Sequence, residues 1–421
     1  MIHTAPAPPW ITYAARWLTL RRIRAQAAVL ALCLWSVCLI DFATPGLFDR
    51  AGNIKFQDFL PIYASARLVA QHRATELYDA NTLERELSSI VPALNRVRLI
   101  YLYGPQVGLL FVPLASFSFA TAARTWAAIG MLIYFACVFA AWRCCRALRS
   151  YVGILIIAAL AFPPLFHCFV RGQLSPLVLA CVTAAFLSLR SDRQWLAGVA
   201  FGLLILKPPF LAAVPLILLF ARAWKILGGL VLSAVAQLTF ARLWFGAAIM
   251  RSYLDVFLSP SRWLNIAELN LAPIQMHSLR SFWTLLIPSS SVALGAYILS
   301  SIALISLTTK IWNSSDALAL RFSAITFAAI LVNPHLFVYD LLVLAPALMA
   351  LLDWTLANPQ NDLAARIQLL VYLAFVLPLF GPLSHWTHLQ LSVPIFVALV
   401  WTMYRSQAAG HKLASNESRI V

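Results

Sequence analysis

Between residues 25 and 404 the sequence is a succession of apolar runs, most of them separated by short polar or Pro/Gly breaks. Twelve of them lie near 25–43, 124–142, 151–169, 173–190, 194–207, 208–222, 225–245, 288–309, 317–334, 336–353, 366–382 and 388–404. A run of about 20 apolar residues spans the roughly 30 Å hydrocarbon core of a bilayer. Backbone in hydrocarbon must satisfy its own hydrogen bonds, which leaves helices and closed barrels. A barrel would alternate apolar and polar residues over strands of about ten, and these runs do not alternate. The expected fold is therefore all-α, a polytopic integral membrane protein with about 12 transmembrane helices. Composition agrees: 62% of residues are hydrophobic and 11% charged, with a mean hydropathy of +0.82. A soluble domain carries about 25% charge, so a water-soluble enzyme, a coiled coil and a disordered chain are all excluded.

The charge is lopsided, 31 Lys+Arg against 15 Asp+Glu. In a membrane chain this reads as the positive bias of cytoplasmic loops rather than as a nucleic-acid surface. Arg16, Arg21, Arg22 and Arg24 place a tail, 1–24, in the cytoplasm, followed by an uncleaved first span. Arg143, Arg146 and Arg149, then Arg190 and Arg193, then Arg222 and Lys225, and the 405–421 tail mark further inside segments. This parity requires 103–121, punctuated by Pro105 and Pro113, to dip in and return as a half-helix. The outer side then carries a first loop, 44–123, with juxtamembrane helices near 56–72 and 80–98, and a second loop, 246–287. The chain reads as a single membrane domain, multi-pass in a cell membrane of the bacterial inner-membrane type, with both termini cytoplasmic. The seven cysteines lie in or beside apolar runs and suggest neither a disulfide framework nor zinc. No metal-ligating cluster is visible.

Seven of the 15 acids, Asp41, Asp49, Asp58, Glu76, Asp79, Glu84 and Glu86, sit at or in the first loop. Polar groups also mark the outer span ends: Arg171-Gly172-Gln173, Lys207-Pro208, and Asn333-Pro334-His335 through Tyr339-Asp340. Together they suggest one outward cavity, since charge at membrane depth is costly and usually functional. Each has a plainer reading. Asp58 alone is a solvated loop acid, and Lys207 can snorkel to the interface. His277 reads as a surface histidine of a polar loop. His335 and Asp340, five apart beside Pro334, serve equally as a helix-break pair. Trp126, Trp195, Trp244, Trp283, Trp401 and Tyr404 read as interface belts.

The order of these pieces resembles glycosyltransferase family 87, multi-span enzymes of the GT-C class. Asp58-Phe59, Tyr63-Ala64-Ser65-Ala66-Arg67-Leu68 and Leu77-Tyr78-Asp79 are similar to that family's first outer loop. Tyr103-Gly104-Pro105 with Pro113-Leu114 resembles its aromatic-Pro-Pro half-helix, with Gly104 in place of the first proline. Gly172-Gln173 follows, then Leu196-Ala197-Gly198 through Gly202, Lys207 and Pro208, then the late Asn333-Pro334-His335 motif. Some members carry histidines near the end of that motif, where this chain has Tyr339-Asp340. The similarity covers about residues 25–405.

The resemblance implies transfer of a sugar, often mannose, from a polyprenyl-phosphate donor to a lipid or glycan acceptor outside the cytoplasm, without a cofactor. Such a donor enters from the membrane lipids. Its phosphate needs cations, for which Arg67, Arg171 and Lys207 are the candidates. Inverting transfer needs a general base on the acceptor hydroxyl, and the family's first-loop acid matches Asp58. Were 58–67 one helix, Asp58, Tyr63 and Arg67 would share much of a face, with Arg67 keeping Asp58 ionised. Asp79, Tyr103, Gln173, His277, His335, Tyr339 and Asp340 complete the expected substrate-binding set. Two rivals come from other classes. A transporter or lipid flippase would favour repeats and charges within spans. An O-antigen-type polymerase or ligase usually places its large loop late in the chain.

Overall fold

Helix follows the apolar runs throughout the computed structural model, which describes residues 17–92, 101–258, 273–361 and 363–417. The start of the expected cytoplasmic tail, the end of the 80–98 stretch, and Glu268 with the middle of the second loop lie outside the described residues.

The chain opens with α1 (Leu20–Ala43). The first loop holds α2 (Leu60–Ala70), α3 (Ala80–Ile90) and the six-residue α4 (Pro105–Leu110). Then come α5 (Phe119–Cys144), α6 (Val152–Leu160), α7 (Pro163–Arg171), α8 (Ser175–Arg190), α9 (Gln194–Gly202), α10 (Val214–Phe220), α11 (Trp224–Phe245) and α12 (Ala247–Leu258). The last part holds α13 (Leu279–Leu286), α14 (Ser290–Ser314), α15 (Leu318–Leu331), α16 (Leu344–Ala357), α17 (Ala364–Val376) and α18 (Ser392–Glu417). Among the described residues the only extended pairing is two isolated bridges, Phe48 with Ile54 and Met276 with Phe337.

By length and apolarity six helices can cross a membrane, and seven if the bent pair Ala147–Leu160 and Pro163–Arg171 is one span. Four further apolar helices are shorter: Ser175–Arg190, Gln194–Leu206, Pro208–Phe220 and Leu318–Leu331. The outward faces are apolar. Leu32, Leu132, Leu243 and Leu299 are each at least 70% exposed, which suits lipid and not water. α15 is the opposite, buried along nearly its whole length.

Two local devices set the packing. The first is the 42° bend between α6 and α7. Pro163 and Pro164 lack the N–H groups that would bond the carbonyls of Ala159 and Leu160. Tyr134 donates to the Ala159 carbonyl (2.9 Å) and Trp35 to that of Leu160 (2.9 Å), so neither is left bare in the apolar interior. The second is the contact of α9 with α11. A Cβ at Gly198 would strike the Ile226 carbonyl, and one at Gly202 the Leu230 carbonyl. Small residues let two backbones touch, the usual basis of helix association in lipid.

The first loop is not a fringe on the membrane face. α2 is enclosed almost all round: every residue from Leu60 to Ala66, and Leu68, is buried. Phe59, Ile62, Tyr63 and Ala66, which recur at helical spacing, are all inside. α4 is about 9 Å long at 1.5 Å per residue, far short of a crossing, and it packs on α2.

Candidate active site

A left-handed turn brings the first loop to the end of α7. Phe56 has φ +56°. Its N–H donates to the Val170 carbonyl (3.2 Å), and its ring packs on Phe42 and Phe169. A single 3₁₀ turn, Gln57–Phe59, follows before α2 begins. That turn takes Asp58 out of the register of α2. Across from it α7 ends at Gly172, which takes φ +70°; a Cβ there would sit 2.9 Å from that of Phe59. Glycine thus serves both the left-handed helix stop and the close approach. Trp126 Nε1 donates to the carbonyls of Gly172 and Gln173, 3.2 Å each, and fixes this turn from below.

Gln173 connects the two segments. Its Oε1 accepts from the Tyr103 hydroxyl (3.4 Å) and the Leu174 N–H (3.3 Å). That leaves Nε2 to donate to Asp58 Oδ2 at 2.6 Å, and the two acceptor bonds assign the amide's orientation. The Tyr339 side chain also favours the ionised Asp58. Arg171 donates to Gln57 Oε1 (3.0 Å), beside Asp58.

The second half of the site comes from two helix breaks. Pro208 and Pro209 end the helical run at Lys207, and the backbone turns there into a second 3₁₀ segment. The Lys207 ammonium lies 2.5 Å from Asp340 Oδ1. Its other sides face the rings of Tyr339 (5.3 Å) and Phe210 (6.0 Å). Asp340 is fully buried. It accepts also from Ser175 Oγ (2.7 Å) and from the Phe337 N–H (3.4 Å), which caps the turn Val338–Val343.

Two carboxylates, two cations, two phenols and an amide therefore meet at one end of the helices. Burial pushes the Asp58 carboxyl above the usual carboxylate range. Arg171, the Gln173 amide, Lys207 and Tyr339 pull the other way without cancelling it. Burial likewise raises the Tyr103 phenol, and Asp340 and Asp58 add to the effect. A half-buried carboxyl of raised pKa that faces two cations is suited to taking a proton from a neutral hydroxyl.

Of the residues expected from the sequence, the structure brings together Asp58, Tyr103, Arg171, Gln173, Lys207, Tyr339 and Asp340. It does not bring Arg67 to Asp58. Arg67 Nε pairs with Glu86 Oε1 at 3.0 Å, and the cations acting on Asp58 are Arg171 and Lys207. The 3₁₀ turn is the reason, since it breaks the helix face that 58–67 was expected to share. Asp79 caps α3, accepting from Thr82 N–H (3.0 Å) and Thr82 Oγ1 (2.6 Å). His277 is no surface histidine. It is buried, bonds Ser392 Oγ at 2.8 Å through Nδ1, and burial pulls its imidazole down to about 3. A bridge between Met276 and Phe337 draws the end of the second loop inward and takes His277 with it. His335 donates its backbone N–H to Asn333 Oδ1 (2.9 Å).

Three residues with a part in the site escaped the sequence reading: Gln57, Trp126 and Ser175. Trp126 was expected in an interface belt but is buried. Its position was the available signal. It stands seven residues inside α5, about 10 Å along the axis and not at its end. Trp195, Trp244 and Trp401, by contrast, are each at least 45% exposed.

A model of glycosyltransferase family 87 matches residues 101–334, more than half of the chain. The chain belongs to glycosyltransferase family 87. No curated protein and no solved structure matches it. The matched segment of this membrane glycosyltransferase includes Tyr103, Arg171, Gln173 and Lys207. Asp58, Arg67 and Asp79 precede it, and His335, Tyr339 and Asp340 follow it. The glycosyltransferase thus completes its polar cluster with residues from both sides of the matched segment.

Proposed function

We propose that the protein transfers a hexose, mannose or a close relative, from a polyprenyl-phosphate donor to a lipid or glycan acceptor, with Asp58 as general base. The observation that carries this reading is the half-buried Asp58 carboxyl of raised pKa, held by Gln173 and facing Arg171 and Lys207. In the step, the acceptor oxygen attacks C1 of the sugar. The bond from C1 to the phosphate oxygen breaks and its electron pair stays with polyprenyl phosphate. The hydroxyl proton passes to Asp58, and a single displacement from the face opposite the phosphate inverts the sugar at C1. Charge grows on the leaving phosphate, where a fixed cation stabilises the transition state more than the ground state. Arg171 and Lys207 fill that role.

We place this site on the extracytoplasmic face, with both termini cytoplasmic and the bent pair, the four shorter apolar helices and α18 crossing beside the six long spans, twelve in all. The separation of charge supports this. Ser175 belongs to the site and Arg190 ends the same helix, about 24 Å away along 16 residues. Arg143 likewise stands at the far end of α5 from Trp126. The nearby turn of Ala147 and Leu148 is held by Asp353, at the end of α16 away from Asp340. Arginine-rich ends mark the cytoplasmic side.

The test is transfer by purified protein in nanodiscs, supplied in turn with polyprenyl-phosphate mannose, polyprenyl-phosphate glucose and nucleotide-linked mannose, each labelled in the sugar. Label should move from a polyprenyl-phosphate donor onto a lipid extract of the host membrane. Transfer from the nucleotide sugar alone would overturn the reading.

A further inference from the structure

The site contains two carboxylates, and only one is free to act on a substrate. Asp340 is fully buried and its oxygens are committed to Ser175, Lys207 and the Phe337 N–H. Asp58 is half-buried, and the bond described for its carboxylate comes from the Gln173 amide. Lys207 acts on both acids but is bonded to Asp340. An ammonium has three donors on a flexible stem and swings readily between acceptors. Were Asp340 neutral, the acid left for Lys207 within this cluster would be Asp58.

We propose that Asp340 is a positioning residue that, with Ser175, anchors the Lys207 ammonium and so keeps it from pairing with Asp58. The inference rests on the reading of Asp58 as the base. Its chemical sense is a division of labour. A base ion-paired to a lysine has its lone pairs occupied and its proton affinity lowered, so it accepts a proton poorly. A lysine pinned to a second acid instead keeps its remaining N–H donors for the donor phosphate. Tyr339, whose ring lies 5.3 Å from the ammonium, acts electrostatically with both acids. The charged and titratable groups facing Asp58 are Arg171 and Cys168 from α7, Lys207 from the helix break, Tyr103 from the first loop, and Tyr339 with Asp340 from the turn Val338–Val343. Arg171 donates to Gln57. Lys207 is therefore the cation whose partner a single substitution at Asp340 would change.

The experiment is the pH dependence of kcat and kcat/KM with labelled polyprenyl-phosphate mannose in nanodiscs, for wild type, Asp340→Asn, Ser175→Ala and the double variant Lys207→Met/Asp340→Asn. The double variant removes both buried charges at once and so keeps the interior neutral. Asp340→Asn should lower kcat about tenfold and move the acid limb down by about one pH unit, as Lys207 pairs with Asp58. Ser175→Ala should shift both in the same direction by less. In the double variant the limb should return to the wild-type position or above it, because the cation that would pair with Asp58 is gone. A purely structural role for Asp340 would leave the limb in place in Asp340→Asn and Ser175→Ala, and that result overturns the inference. Asp58→Asn in the same assay separates the two readings. If it keeps turnover, the base assignment fails. If it is inactive while the Asp340→Asn limb stays put, only the anchoring role fails.

Discussion

Two of the first loop's three aspartates, Asp58 and Asp79, stand about 20 residues apart, and the fold treats them oppositely. The segment 56–60 is tied to distant parts of the chain. Phe56 bonds Val170, Asp58 bonds Gln173, and Phe59 stacks near Trp126. The segment 73–90 keeps to itself and its neighbour. Asp79 caps its own helix through Thr82, Arg73 pairs with Glu76, and Glu86 takes Arg67 from the neighbouring α2. Burial lifts the Asp58 carboxyl above its ordinary range, whereas the Thr82 hydroxyl and N–H hold the exposed Asp79 below it. What separates the proposed base from a cap here is not the residue or the loop. It is which long-range contacts reach the carboxylate.

Three substitutions would break or sharpen this contrast. The largest effect is expected at Asp58→Asn, which keeps the shape and the fold but removes the proton acceptor. Turnover should fall about 10²–10⁴-fold with donor binding nearly intact, read as single-turnover transfer beside binding of labelled donor. Arg67→Met comes next. Arg67 belongs to Glu86, so donor KM should stay within about twofold, and the loss should appear as under about 1 kcal/mol of stability by thermal unfolding in detergent. The smallest effect is Asp79→Ala, with the loss of one helix cap. That should lower the unfolding midpoint only slightly in the same assay and leave kcat unchanged. A large kinetic loss at Asp79 with none at Asp58 would reverse the comparison.

How much of this was legible in the sequence follows from the range of the forces involved. Helices in the apolar runs were legible because lipid leaves the backbone little choice. The polar span ends were legible as a set, because charge at membrane depth rarely lacks a purpose. The pairings were not. Asp58 and Arg67 looked like neighbours on one helix, but the left-handed Phe56 and the turn after it rotate Asp58 toward Arg171 and Gln173. His277 looked exposed in a polar loop, but one bridge to Phe337 draws it inside. Lys207 was legible as a cation at a span end, yet its pairing with Asp340 joins positions more than a hundred residues apart, and no local pattern announces it. Ser175 reads as a common helix opener before Pro176 until Asp340 is seen to accept from it.

The central claim is that Asp58 acts as a carboxylate base whose proton affinity is raised by burial and restrained by Gln173. It is tested most directly by the acid limb of kcat/KM for labelled donor, compared between wild type and Gln173→Met. A raised pKa means that the base is protonated, and idle, up to a higher pH than an ordinary aspartate near 3.9. Activity should therefore appear only as pH rises through that higher value. Removing the Gln173 amide deletes one of the interactions that favour the charged form, so the limb should move up further. A wild-type limb at the ordinary carboxylate value that Gln173→Met leaves unmoved would contradict the account.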